Sequence, residues 1–257
     1  GIWITMKIGI VSLYGWLKLW DNYGTLLQNY ALQAYLRSLG HETFWIRNRV
    51  SPSDSTAHGG GGAGRLAGLR ERMSGILRPL RGPSWQERIA DFNRTHPRYF
   101  AEFIREHVPT TAAEMSIEEL KANPPEADVY IAGSDQVWRD VTDLNFLRFG
   151  RAETRRIAYA VSAPWPSLSY EWFREAGTRI SDFHSVAVRE RDGLEVVRQL
   201  GRTDAEQVVD PTLLLDASHY RALTAATPDE GNTSPYALGY FEHMPHKVAG
   251  DAEADPF

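Results

Sequence analysis

The sequence predicts an α/β fold built as a doubly wound parallel sheet of Rossmann-like type, on three observations. Short, nearly continuous apolar runs recur along the 257 residues, as strands covered on both faces require. Stretches of helical period separate them, so that strand and helix alternate. Two polar, glycine-hinged turns, Asn22-Tyr23-Gly24 and Gly133-Ser134-Asp135, follow such runs, and an open sheet builds its site in turns of this kind.

The first strand is Lys7 to Leu13, an apolar run broken only by Gly9 and Ser12. A polar and aromatic loop, Tyr14 to Gly24, leads to a helix from about Thr25 to Leu39. There Leu32, Tyr35, Leu36 and Leu39 fall at i, i+3, i+4 and i+7, and Gly40 supplies the stop. His41 to Ile46 reads as the second strand. Ser51 to Gly64 is rich in glycine and serine and reads as a flexible loop. Leu66, Leu69, Met73, Ile76, Leu77 and Leu80 then form a helical stripe interspersed with arginines; Pro79 ends the helix, so its last residues read as a turn. A further helix is expected over Ser84 to Arg94. Ser116 and Glu119 make a capping box for a short helix that Pro124 and Pro125 end.

Ala127 to Ala132 is the next buried strand and Arg156 to Val161 another. A helix over Ser169 to Ile180 leads into the strand Ser185 to Val188. Asp192 to Leu200 is helical and stops at Gly201, and Gln207 to Val209 is a short strand ending at Asp210-Pro211-Thr212. These elements define a first domain over 6–226, with Met6 as the natural start. Residues 227–235 read as a linker. Tyr236 to Phe241 resembles the opening strand of a second Rossmann-like domain, of which 236–257 would be only the truncated start.

Composition narrows the function classes. Hydrophobic content of 42% and charged content of 24% suit a globular chain that buries a substantial core. A net charge of -5 argues against nucleic acid as a partner, so an anionic ligand would need a local group of arginines. With no cysteine there is no disulfide, thiolate metal site or thiol nucleophile, which suits the cytoplasm. No spacing of His, Asp and Glu suggests a metal site. The arginine-rich helix around Leu66 to Arg81 could lie at the inner membrane surface as a peripheral contact; a solvated face packed on its own domain is the favoured reading.

Four turns at strand ends qualify as a site, Tyr14 to Gly24, Gly133 to Trp138, Ser162 to Trp165 and Arg189-Glu190, and three of them offer specific chemistry. Asn22 and Gly24 permit a tight turn into a helix start that could hold an anion, or simply an Asx turn that caps the helix. Gly133, Ser134, Asp135 and Gln136 place backbone access, a hydroxyl, a carboxylate and an amide after a buried strand. Asp135 could act as a general base toward a sugar hydroxyl; the competing reading is a helix cap with Trp138 as a core anchor. Arg189 ends the strand Ser185 to Val188, where a guanidinium can bind a carboxylate or phosphate bidentately, or else pair with Glu190. His184 reads as a surface or packing histidine.

Seven blocks, in this order, resemble the polysaccharide pyruvyl transferase family. They are Lys7-Ile8-Gly9-Ile10, Asn22-Tyr23-Gly24-x-x-x-Gln28-x-x-Ala31-Leu32-Gln33, Ser38-Leu39-Gly40-His41-Glu42, Gly133-Ser134-Asp135-Gln136-Val137-Trp138, Ile157 to Ser162, Val188 to Gly193, and Val209 to Leu214. The resemblance implies two Rossmann-like domains facing across a cleft, as in the larger glycosyltransferases, this chain supplying the first half. It implies no cofactor, phosphoenolpyruvate as donor, a glycan or lipid-linked saccharide of the cell envelope as acceptor, and a pyruvate ketal as product. Arg189 matches the family's Ser/Ala-x-Arg-Glu element and would bind the donor. Asn22, Gly24, Gly133, Ser134 and Gln136 would line the cleft beside Asp135. The family's second domain contributes further basic and histidine residues, and nearly all of it lies beyond this sequence. Two other classes compete: an interaction domain that keeps the fold without catalysis, and a nucleotide-sugar glycosyltransferase.

Overall fold

The computed structural model describes residues 4–13, 22–49, 94 and 99–225. The expected loop from Tyr14 up to Asp21, the flexible loop Ser51 to Gly64, the arginine-rich helix, the helix from Ser84 apart from Arg94, the linker and the strand at Tyr236 lie outside the described residues. The chain divides into two compact units, Gly1–Asp216 and Ala217–Phe257.

The first unit holds a six-stranded sheet. Its strands are β1 (Lys7–Val11), β2 (Glu42–Trp45), β3 (Val129–Ala132), β4 (Arg155–Val161), β5 (Ser185–Val188) and β6 (Glu206–Gln207). They are all parallel and lie in the order β2-β1-β3-β4-β5-β6, which is the predicted fold class. Among the described residues of this unit, the helices bounded on both sides are α1 (Tyr23–Ser38), α2 (Phe100–His107), α3 (Ile117–Ala122), α4 (Tyr170–Gly177) and α5 (Arg191–Gln199). In the second unit the described residues form α6, Ala217–Thr224.

Alternation along the strands sorts side chains onto two faces. Ile8, Ile10, Val129 and Ile131 pack with Leu32 of α1, and half-buried Leu36 and Tyr159 extend that layer. The other face carries the larger core, where Tyr130, Ala132, Val186 and Val188 meet Trp138, Phe146, Trp172 and Val197. Trp138 is the anchor of this layer: it is fully buried and stacks on Phe146 with ring centres 4.9 Å apart.

Local expectations and structure agree closely where turn chemistry is explicit. Ser116 and Glu119 exchange both hydrogen bonds of the capping box at the start of α3. The helix expected to reach Ile180 ends at Gly177, and Ile180–Asp182 forms a separate 3-10 turn. The last strand pairs only over Glu206–Gln207. Sequence reading missed α2, although Phe100, Phe103 and Ile104 fall at i, i+3 and i+4; an eight-residue helix shows too few periods to stand out.

The strand order decides where a ligand can sit. β2 lies on one side of β1 and β3 on the other, so the connections leaving β1 and β3 diverge. In an open parallel sheet that switch point, beyond the carboxyl ends of the strands, is where a ligand is expected.

Candidate functional site at the sheet's carboxyl edge

The two glycine-hinged turns meet at this switch point. Asn22 is the N-cap of α1, and its Oδ1 accepts from the Thr25 amide at 3.1 Å. The Thr25 hydroxyl then donates to Asp135 Oδ2 at 3.0 Å, joining residues 110 positions apart. Asp135 is half-buried, with φ 66°, and the favourable amino end of α1 lies beside its carboxylate. Oδ1 of Asp135 has no hydrogen bond among the described residues. Gly24 sits exposed in the first turn of α1, behind the Asn22 cap.

The rest of the second turn is tied into the sheet. Gly133 has φ 135°, and a Cβ there would collide with the Tyr159 carbonyl oxygen. The close approach that requires glycine is thus made by the backbone of β4, where sequence reading expected a ligand. Ser134 is 2% exposed and its hydroxyl donates to the Ala160 carbonyl at 3.0 Å, so it is held under the edge. Gln136 is half-buried and accepts from Arg139 Nη2. No helix follows Asp135, so this turn is not a helix cap.

A second polar cluster occupies the carboxyl ends of β4, β5 and β6. Arg189 Nε donates to Glu190 Oε1 at 2.7 Å, and Nη1 donates to Asp210 Oδ2 at 3.0 Å. Burial works to lower the Arg189 pKa, but the hydrogen bonds and charges of Glu190 and Asp210 outweigh it and raise the pKa above its ordinary value. Glu190 also accepts from Ser162 Oγ and Trp165 Nε1, each at 2.8 Å. The trio of Arg189, Glu190 and Asp210 carries one positive and two negative formal charges. His184 lies at the opposite end of β5, accepting from the Arg156 amide at 3.2 Å.

Sequence reading did not single out Ser12, Thr25 and Asn29, and it quoted Gln33 only within the resemblance. Thr25, Asn29 and Gln33 fall at i, i+4 and i+8 of α1, and all three are buried. A polar stripe of helical period between two buried strands was the signal that could have found them. Asn29 Nδ2 donates to Ser12 Oγ at 3.3 Å, and Gln33 Nε2 donates to Asn29 Oδ1 at 2.6 Å.

Cavity volume alone points elsewhere. Spaces of about 640 and 730 Å³ lie around Lys7, Pro125, Glu126 and Arg151, at the amino ends of the strands. They are lined by charged residues at the strand starts, with Thr154 and Thr43 buried at their walls, but the divergence of connections at β1 and β3 favours the carboxyl edge on topology. Among the described residues, no group of three or more His, Cys, Asp or Glu is placed to hold a metal. Nor is any described helix long and apolar enough to cross a membrane.

Fold and site together define an open, parallel α/β domain with polar residues converging at its switch point. Residues 22–247 match the model of the polysaccharide pyruvyl transferase family, and the chain belongs to that family. Neither a comparison with curated proteins nor one with solved structures found a match.

Proposed function

We propose that this chain serves transfer of a pyruvyl unit from phosphoenolpyruvate to a saccharide, with Asp135 as the base toward the attacking sugar hydroxyl. Family membership implies a polysaccharide acceptor. The observation that carries the role of Asp135 is its placement: one carboxylate oxygen is held by Thr25 at the head of α1, and the other has no partner among the described residues.

The chemistry balances as follows. The first sugar oxygen adds to C2 of phosphoenolpyruvate as its proton passes to the base, and the donor methylene takes up a proton to become a methyl group. A second hydroxyl of the same sugar then displaces phosphate from C2, giving the ketal, inorganic phosphate and a proton. A positioned carboxylate can speed the first proton transfer by about 100- to 10,000-fold.

For the donor anion we propose Arg189, acting through Nη2, since Nε and Nη1 are held by Glu190 and Asp210. Its two carboxylate partners weaken its attraction for an anion, so donor affinity at this point is modest. The test follows phosphate release from phosphoenolpyruvate with methyl β-galactoside as acceptor, alongside calorimetric titration of phosphoenolpyruvate. Asp135→Asn should lower kcat by about 100-fold or more while leaving donor affinity within about threefold. Arg189→Ala should abolish the calorimetric signal; unchanged binding removes Arg189 from the site. Binding of a nucleotide sugar in place of phosphoenolpyruvate would replace the transfer reading with glycosyl transfer.

A further inference from the structure

Beneath α1 runs a chain of four buried polar side chains: Thr43, Gln33, Asn29 and Ser12, between 0% and 7% exposed. A single backbone carbonyl sets its direction. Pro109 O has no proton to give, so the Gln33 amide must turn its nitrogen toward it, with Nε2 at 3.3 Å. The amide oxygen is then left for Thr43, whose hydroxyl donates to it at 2.9 Å. The other Nε2 hydrogen goes to Asn29 Oδ1 at 2.6 Å. With its oxygen so committed, Asn29 presents Nδ2 to Ser12 Oγ at 3.3 Å. Every link runs the same way, and it ends with the Ser12 oxygen as an acceptor.

The Ser12 hydroxyl proton therefore points onward, and the described residues offer it no acceptor. Leaving a buried donor unmatched is costly, which argues for a ligand oxygen there. The position is the switch point itself: Ser12 follows Val11, whose carbonyl accepts from the Gly133 amide at 3.0 Å, two residues before Asp135. An anion is a poor candidate for this oxygen, because the Asp135 carboxylate already occupies the amino end of α1. A sugar hydroxyl both accepts and donates, and so satisfies Ser12 and Asp135 together.

We propose that Ser12 is an acceptor-binding residue, donating a hydrogen bond to an oxygen of the saccharide whose hydroxyl proton Asp135 takes. This rests on the pyruvyl-transfer reading above and assigns the β1/β3 switch point to its acceptor rather than its donor.

The test is saturation-transfer NMR on the full 257-residue chain, with the methyl glycosides of galactose, glucose and mannose as probes. Ser12→Ala should weaken sugar binding by roughly tenfold, the loss of one buried hydrogen bond. Ser12→Thr, which keeps the hydroxyl, should restore most of it. Asn29→Asp is the sharper variant. Its carboxylate still accepts from Gln33 but also captures the Ser12 proton, so sugar binding should fall as in Ser12→Ala although Ser12 is intact. Either variant alone decides if the other does not fold. Sugar binding undiminished in a folded variant, or absent from the wild type, overturns the assignment. So does a loss of phosphoenolpyruvate affinity with sugar binding intact, which would place Ser12 on the donor side. A wild type that binds the glycosides but not phosphoenolpyruvate would sink the transfer reading and leave Ser12 standing as a sugar contact.

Discussion

Tyr130 shows how burial in the main core becomes a pH dependence. Its side chain is 1% exposed, and its hydroxyl donates to the Pro125 carbonyl. Burial pushes the phenol up to about 12, against the lowering pull of Arg151 and Arg156. The folded-state value lies above the ordinary value of 10.0, so the phenol's contribution is fully present below pH 10 and is lost as pH rises to about 12. That difference corresponds to about 2–3 kcal/mol. Urea unfolding measured from pH 8 to pH 12 should therefore show stability falling across the upper part of that range. Tyr130→Phe should cost about 1 kcal/mol at neutral pH and make the alkaline fall shallower. It should not abolish the fall, because burial also raises Tyr30 and Tyr159. An identical alkaline slope in the variant would rule out Tyr130 as a source. The identities of Asp135 and Arg189 as candidates were legible from residue type and position at strand ends. Their partners were not: the Asp210 that holds Arg189 lies 21 positions further on.

At the scale of elements, α5 and the 3-10 turn Trp165–Ser167 meet through a glycine. A Cβ on Gly193 would lie 2.6 Å from the Trp165 ring, whose Nε1 donates to Glu190. In a helix free of that contact, Gly→Ala should stabilise by about 1 kcal/mol. Here Gly193→Ala should instead destabilise by about 1–3 kcal/mol through overpacking. It should also shift tryptophan emission as the indole leaves Glu190. A raised melting temperature would show that the contact yields without cost. Helix and strand identities were readable in this region because Ser185 to Val188 and Asp192 to Leu200 carry clear periods and Gly201 marks the stop. The reason for Gly193 was not readable, since Trp165 reaches it only after the chain has crossed from β4 to β5.

For the molecule as a whole, the sheet separates two kinds of space. The amino edge has cavities at the strand starts, and the carboxyl edge brings the two glycine-hinged turns together at the switch point through Thr25 and Asp135. Arg151 lines both amino-edge cavities. Arg151→Ala should leave phosphoenolpyruvate affinity and phosphate release within about twofold of the wild type, the scale of a change distant from the site. A tenfold loss would move the donor to the opposite edge of the sheet. By itself, the sequence determined the α/β class, the parallel alternation, the capping box at Ser116 and the family, because period, turn chemistry and residue order are local or linear properties. Only the tertiary structure decided that Thr25 closes on Asp135, that Gly133 makes room for β4, and that Ser12 ends a one-way chain of hydrogen bonds beginning at Thr43. Those contacts depend on which strands lie side by side, and hydrophobic pattern specifies that a strand is buried without specifying its neighbours.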